Sequence, residues 1–149
     1  MFAGVQTRDE LAEIDPALSK VVRRYPLPGC SSSHSVAIDA DQRAAYVGCQ
    51  HNVRIVRLDL RSGRVTESSG VGIGVDVLAL DPGLHRLYAA SESGVVSVYD
   101  VSGRRLQRTA QAFLHLNAHV VAVDPATHRV YFPLQNVDGK PVMRVMAPP

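Results

Sequence analysis

One pattern recurs three times along the chain, spaced by 42 and then 43 residues. Each copy is a short apolar run that ends in an aspartate, with a tyrosine seven positions later. The aspartates are Asp39, Asp81 and Asp124, and the tyrosines are Tyr46, Tyr88 and Tyr131. Repetition at this length restricts the fold strongly, because each unit must be one supersecondary structure that buries its apolar surface against its neighbours.

Each repeat unit is predicted to contain four short strands. The first is a nearly continuous apolar run, such as 77–80, followed by an Asp-Pro turn at 81–82 or 124–125. The second begins at the tyrosine, the third ends at Asp59 or Asp100, and the fourth is polar. Apolar character therefore falls from the first strand to the fourth, which predicts an inner-to-outer strand order with the first strand buried on both faces. No segment has a helical apolar period of useful length.

Four strands in about 40–45 residues are typical of a β-propeller blade. The sequence therefore predicts an all-β fold, a partial β-propeller of about three and a half four-stranded antiparallel blades. In this prediction the first blade lacks its innermost strand and the last blade lacks its outermost strand. The predicted blades of this single propeller segment are 1–29, 34–70, 75–112 and 118–147.

The repeats resemble those of the YncE-like, YVTN-type bacterial propellers. The similarity lies in the pattern Asp-Pro-x-x-His-Arg-x-Tyr at 81–88 and 124–131, and in Gly-Val-Val-Ser-Val-Tyr-Asp at 94–100. The resemblance implies a non-catalytic binding or scaffold propeller whose ligand is an unknown small molecule or protein. The chain has no Trp, which separates it from WD-repeat propellers.

The predicted blade number also implies a partner, because propellers close with about 4–8 blades. We expect the chain to be the C-terminal portion of a longer propeller that supplies upstream blades. The alternative is a half-ring that associates with a second copy.

Three side chains with metal-binding chemistry occupy equivalent repeat positions, five residues before each strand-ending aspartate. They are His34, Asp76 and His119, and His115 lies four residues before the last of them. Loops that precede first strands meet at the mouth of a propeller channel, so we expect a polar ligand site there. Imidazole and carboxylate groups suit a divalent metal at this site. The alternative is that these residues cap strands and bind water.

A metal at the channel mouth would make the chain similar to metal-dependent lactonase- or lyase-type propeller enzymes. His34, Asp76 and His119 would then be the ligands, and the metal would act as a Lewis acid on an ester or lactone carbonyl. No general base is evident in these loops, and the chain has no Gly-x-Ser-x-Gly elbow. The sequence therefore favours a binding protein over an enzyme.

The chain has two cysteines, Cys30 and Cys49, which lie 19 residues apart. Cys30 is predicted in the loop before the first strand of the second blade, and Cys49 in the second strand of that blade. Three outcomes remain open: a disulfide, two free thiols, or metal ligation together with His34. A disulfide would indicate a periplasmic or secreted parent protein.

Composition and patterning exclude several other classes. The formal charge is +2 and aromatic residues make up 5% of the chain, which argues against a nucleic-acid partner. No apolar run approaches the roughly 18 residues of a membrane span. Met1 is not followed by the pattern of a secretion signal.

Overall fold

A computed structural model describes residues 1–148, which form four antiparallel sheets. The first sheet contains β1 (Phe2–Val5), β2 (Glu10–Asp15) and β3 (Lys20–Pro26). The second contains β4 (Ser33–Asp39), β5 (Ala44–Cys49), β6 (Arg54–Asp59) and β7 (Arg64–Gly70). The third contains β8 (Val75–Asp81), β9 (Arg86–Ser91), β10 (Val95–Asp100) and β11 (Gln107–Phe113). The fourth contains β12 (Ala122–Asp124), β13 (Arg129–Val137) and β14 (Lys140–Met146).

Within each sheet the strands pair in chain order, so every sheet is a simple meander. One 3-10 turn, Gln6–Arg8, is the only helical segment among residues 1–148. The all-β prediction is confirmed. No helix in this part of the chain has the length and apolar character that crossing a bilayer would require.

The sheets stack side by side and bury three separate apolar layers between them. Strand β5 shows why, because its side chains alternate between two layers. Ala44 and Tyr46 belong to the layer against the third sheet, whereas Ala45 and Val47 belong to the layer against the first. The first strands of successive sheets are neighbours, with β4 beside β8 and β8 beside β12.

Burial does not follow the predicted order from first strand to fourth. Every residue of the second strand β5 is buried, whereas β4 and β8 are only partly buried. The prediction was wrong on this point because the first strands line the open inner side of the stack. A second strand is covered on both faces and paired on both edges, so it is shielded from water in every direction.

The repeated aspartates close turns, which explains why they recur. Asp39 and Asp124 each accept a backbone N–H from the turn that follows, from Gln42 at 2.9 Å and from Ala126 at 3.0 Å. Asp59 and Asp100 do the same after the third strands. Hydrogen bonds from Ser62 and Ser102 lower the pKa of these two carboxyls, so both remain ionised at neutral pH.

A disulfide joins Cys30, in the loop before β4, to Cys49 at the end of β5, with the Cα atoms 5.2 Å apart. Strand pairing explains this proximity, because Ser33 is the cross-strand partner of Cys49. No free cysteine is present among residues 1–148. The bridge therefore fixes the entry of the chain into the second sheet.

A hydrogen bond between side chains links the end of β8 in the third sheet to the turn before β13 in the fourth. Asp81 is fully buried, and the Nδ1 atom of His128 lies 2.9 and 3.1 Å from its two carboxylate oxygens. Asp81 also accepts the backbone N–H of Leu84 at 3.1 Å. Its repeat equivalent Asp124 holds a turn in the same way, and its second oxygen accepts the hydroxyl of Thr127 from within that same turn.

We predict that Asp81→Ala lowers the free energy of unfolding by about 2–3 kcal/mol, because it leaves His128 and a turn amide without their acceptor in a buried place. The matched control is Asp124→Ala, which removes a turn cap but no contact between sheets, and we expect a clearly smaller loss. Urea unfolding followed by circular dichroism measures both. Equal losses in the two variants would show that the contact between sheets contributes nothing.

Candidate functional site

A left-handed residue precedes each of the three repeat-equivalent site residues by two positions. These residues are Ser32, Gly74 and Asn117, with φ values of 59°, 68° and 59°. Glycine and asparagine tolerate this conformation best, and the chain uses it to turn from the outer strand back into the next sheet. The repetition of one backbone turn is what delivers the site side chains to equivalent places.

The structure brings His34, Asp76 and His119 together. The Nε2 atom of His34 lies 2.8 Å from Oδ1 of Asp76, and the Nδ1 atom of His119 hydrogen-bonds to Oδ2 of the same carboxylate. Two histidines from different sheets therefore hold opposite oxygens of one aspartate. His34 and Asp76 lie at the start of β4 and β8 rather than in the preceding loops, and His119 lies in the loop before β12.

Gln6 and Gln50 extend this arrangement to the first sheet and to the end of β5. The side-chain amide of Gln6 donates to Nδ1 of His34 at 2.7 Å and lies 3.5 Å from Oε1 of Gln50. Gln6 and Asp76 therefore contact the two different ring nitrogens of His34. We call the side chains of Gln50, Gln6, His34, Asp76 and His119 the polar row.

The sequence contains a signal for these glutamines that the motif search missed. A polar residue stands four positions after Phe2 and after each of the three repeated tyrosines. These residues are Gln6, Gln50, Glu92 and Gln135. Gln135 lies 3.5 Å from the side-chain amide of Asn117, and Glu92 packs against Gly74. Polar residues at the ends of second strands are thus part of the same repeat that places His34, Asp76 and His119.

His115 does not join the polar row. Its Nδ1 atom donates to the carbonyl oxygen of Leu116 at 3.0 Å, and its own carbonyl accepts the backbone N–H of Ala118. These contacts shape the loop before His119. In this structure His115 supports that loop rather than facing Asp76.

One ring nitrogen of His34 and one of His119 face the oxygens of Asp76. Among residues 1–148, no three His, Cys, Asp or Glu side chains are arranged to hold a metal ion. A divalent metal at His34, Asp76 and His119 stays a prediction.

The polar row is partly open to solvent. Side-chain exposure is 39% for His34, 20% for Asp76 and 34% for His119. Outside the polar row, hydrogen bonds within turns account for the lowered carboxyl pKa values. Burial raises the pKa of the Tyr99 hydroxyl, also outside the row, to about 12. The arrangement offers a ligand one carboxylate, two imidazoles and two amides at the inner edge of the stack.

Comparison with known proteins establishes the fold and not a family. No family model matches the chain, and no curated protein sequence matches it. Among solved structures, hydrazine synthase of Kuenenia stuttgartiensis aligns over 98% of this chain and 46% of its own, with a TM-score of 0.80 and 16% identity. A chain of a mitotic checkpoint complex aligns over 88% of this chain and 40% of its own, with a TM-score of 0.71 and 13% identity.

The chain spans less than half the length of both of these chains. Both neighbours are propeller-type folds. Their similarity to the four side-by-side antiparallel sheets confirms the predicted fold class, and the chain is a partial β-propeller.

Proposed function

We propose that this chain is a non-catalytic binding segment of a β-propeller, of the YncE-like type, and that its ligand binds at the polar row. The observation that carries this proposal is the mutual hydrogen bonding of His34, Asp76 and His119 across three sheets. Polar groups that satisfy one another in a partly exposed place form a preorganised surface for a hydrogen-bonding ligand.

The two imidazoles already hold both oxygens of Asp76, so a ligand has to be recognised by the outward edges of these groups. Gln6 and Gln50 add amide donors and acceptors beside them. This set suits a ligand that presents hydroxyl, amide or amine groups, such as a glycan or a polar segment of a protein. None of these contacts favours the lactonase- or lyase-type alternative.

Protein partners fit the same proposal. Strand β1 pairs only with β2, so its inner edge has unpaired backbone groups beside His34 and Val36, at an open cleft. Strand β14 is the outer strand of a three-stranded sheet, and its apolar residues Val142, Met143, Val145 and Met146 are exposed. We propose that further blades or a second copy of the chain complete the ring.

The disulfide Cys30–Cys49 supports an oxidising compartment for the parent protein. We therefore propose that the parent protein works in the periplasm or is secreted. The mass of the protein isolated with and without a reductant, after alkylation, reports whether the bridge forms in the cell.

To test the binding site, we would follow the histidine ring resonances by NMR while adding glycans, amines and short polar peptides. We predict that one of these probes shifts the signals of His34 and His119 together. The exposed His85 lies in the turn after β8, at the opposite end of that strand from Asp76, and serves as an internal control. Asp76→Asn replaces one acceptor oxygen with a donor, so we expect the affinity for that probe to fall about tenfold.

Three results would contradict this proposal. The first is that no probe shifts these resonances. The second is that a probe binds Asp76→Asn with unchanged affinity. The third is lactone hydrolysis that depends on added zinc or manganese and disappears in Asp76→Asn, which would favour the enzyme.

A separate prediction concerns assembly. Because β1 and β14 leave sheet edges unpaired, we expect the 16.1 kDa chain to elute from a size-exclusion column at twice its mass or more, as measured by light scattering. Arg144→Pro removes a backbone N–H from β14. Loss of association in this variant would indicate pairing through β14, and unchanged association would indicate pairing through β1. A well-behaved compact monomer of 16.1 kDa would contradict both routes to ring completion.

A further inference from the structure

A buried arginine stands at a repeat position that holds a half-buried Glu13 in the first sheet. Arg57 in β6 is only 2% exposed, two residues before Asp59. The equivalent position in the third sheet is Val98, which packs against an apolar layer. Burying a guanidinium costs several kcal/mol unless it is well paired, so a charge at this position calls for a physical reason.

The guanidinium donors of Arg57 are only partly hydrogen-bonded within the chain. Its Nη1 atom donates to Oγ1 of Thr66 at 3.0 Å, and Nη2 lies 3.5 Å from Oε1 of Gln42. Its Nε atom has no hydrogen-bond partner among residues 1–148, and none of the ion pairs in this region includes Arg57. The guanidinium also lies beside Tyr46, where its charge opposes the rise that burial causes in the pKa of that hydroxyl.

Arg57 lines a polar cavity of about 170 Å³ between the second and third sheets. The other lining residues are Asp41, Gln42, Asp59, Arg61 and Arg104. Three guanidinium groups thus face two carboxylates, which gives the cavity a net positive charge.

The charge of Arg57 helps to lower the pKa of Asp59, but among residues 1–148 neither carboxylate forms a direct ion pair with Arg57. Asp59 is engaged by its own turn, where Oδ1 accepts the backbone N–H groups of Arg61 at 2.9 Å and Ser62 at 2.8 Å. Asp41 is exposed in the turn after β4. A buried cation with a free donor therefore remains at a cavity that opens between two exposed arginines.

We propose that this cavity binds a small oxyanion, a phosphate or carboxylate group, with Arg57 at its buried side and Arg61 and Arg104 at its rim. The planar guanidinium fork matches two oxygens of such a group, and the ligand supplies the charge that Arg57 lacks. The cavity lies at the end of the sheets opposite the polar row, because the turns after first and third strands gather there. This site is therefore separate from the proposed function and can fail independently of it.

The test uses the 149-residue chain with inorganic phosphate and acetate as probes, against sodium chloride at equal ionic strength. We expect calorimetry to show saturable binding of one of the two anions, and we expect that anion to raise the melting temperature. The anion that binds more tightly shows whether the site prefers a phosphate or a carboxylate group. Arg57→Met keeps an unbranched apolar stem and removes the charged guanidinium, so we expect the affinity to fall at least about tenfold.

Arg104→Ala and Arg105→Ala form a matched pair, since both residues are exposed neighbours and only Arg104 lines the cavity. We expect weaker anion binding in Arg104→Ala and unchanged binding in Arg105→Ala. The Arg57 Nε–H resonance gives a second readout and should shift on adding the anion that binds. Absence of saturable binding by both anions, or equal binding by wild type and Arg57→Met, would overturn the proposal.

Discussion

Each sheet of this chain has two apolar faces, and only another sheet on either side can bury both. Strand β5 makes the constraint concrete, because Tyr46 and Val47 are both fully buried and point into different layers. Complete burial of an apolar side chain of this size contributes about 2 kcal/mol, so a sheet of this chain standing alone would lose most of its stability. Side-by-side stacking is therefore required by the sequence pattern itself.

The same constraint explains the character of the two outer sheets. Met143 and Val145 on β14 are exposed, although the equivalent third strands β6 and β10 are largely or partly buried. Val21 and Val22 lie on β3, whose equivalents β7 and β11 are mostly exposed in the inner sheets as well. The first strands of the sheets are exposed to water for a different reason, since they face the open side of the stack. Hydrogen-bonded polar groups such as Asp76 and its two histidines are stable there because water and one another satisfy them.

Much of the architecture could be predicted because it is encoded locally and repeatedly. Asp81 and Asp124 each accept turn amides at the same step of the repeat, so their spacing gives both the turn positions and the sheet order. The convergence of His34, Asp76 and His119 followed from the same spacing. Greater burial of second than of first strands could not be predicted, because apolar composition does not reveal which edge of a sheet remains open to water.

The remaining features depended on contacts between repeats. Cys30 and Cys49 could pair or stay apart, and only the register of Ser33 opposite Cys49 brings them together. The burial of Arg57 could not be predicted either, since one residue in a strand does not show whether a neighbouring sheet covers it. The glutamines of the polar row could not be predicted from motifs, because amide side chains carry no charge and form no metal-binding motif.

The central claim is that second strands, enclosed by sheets on both sides, are the most stable part of this molecule. Native-state hydrogen exchange followed by NMR tests it directly, because each amide reports the free energy of the opening that exposes it. The account predicts the slowest exchange in β5 and β9, with fast exchange at the free edges of β1 and β14. Slowest exchange in β4 and β8, or equal protection of all strands, would contradict it.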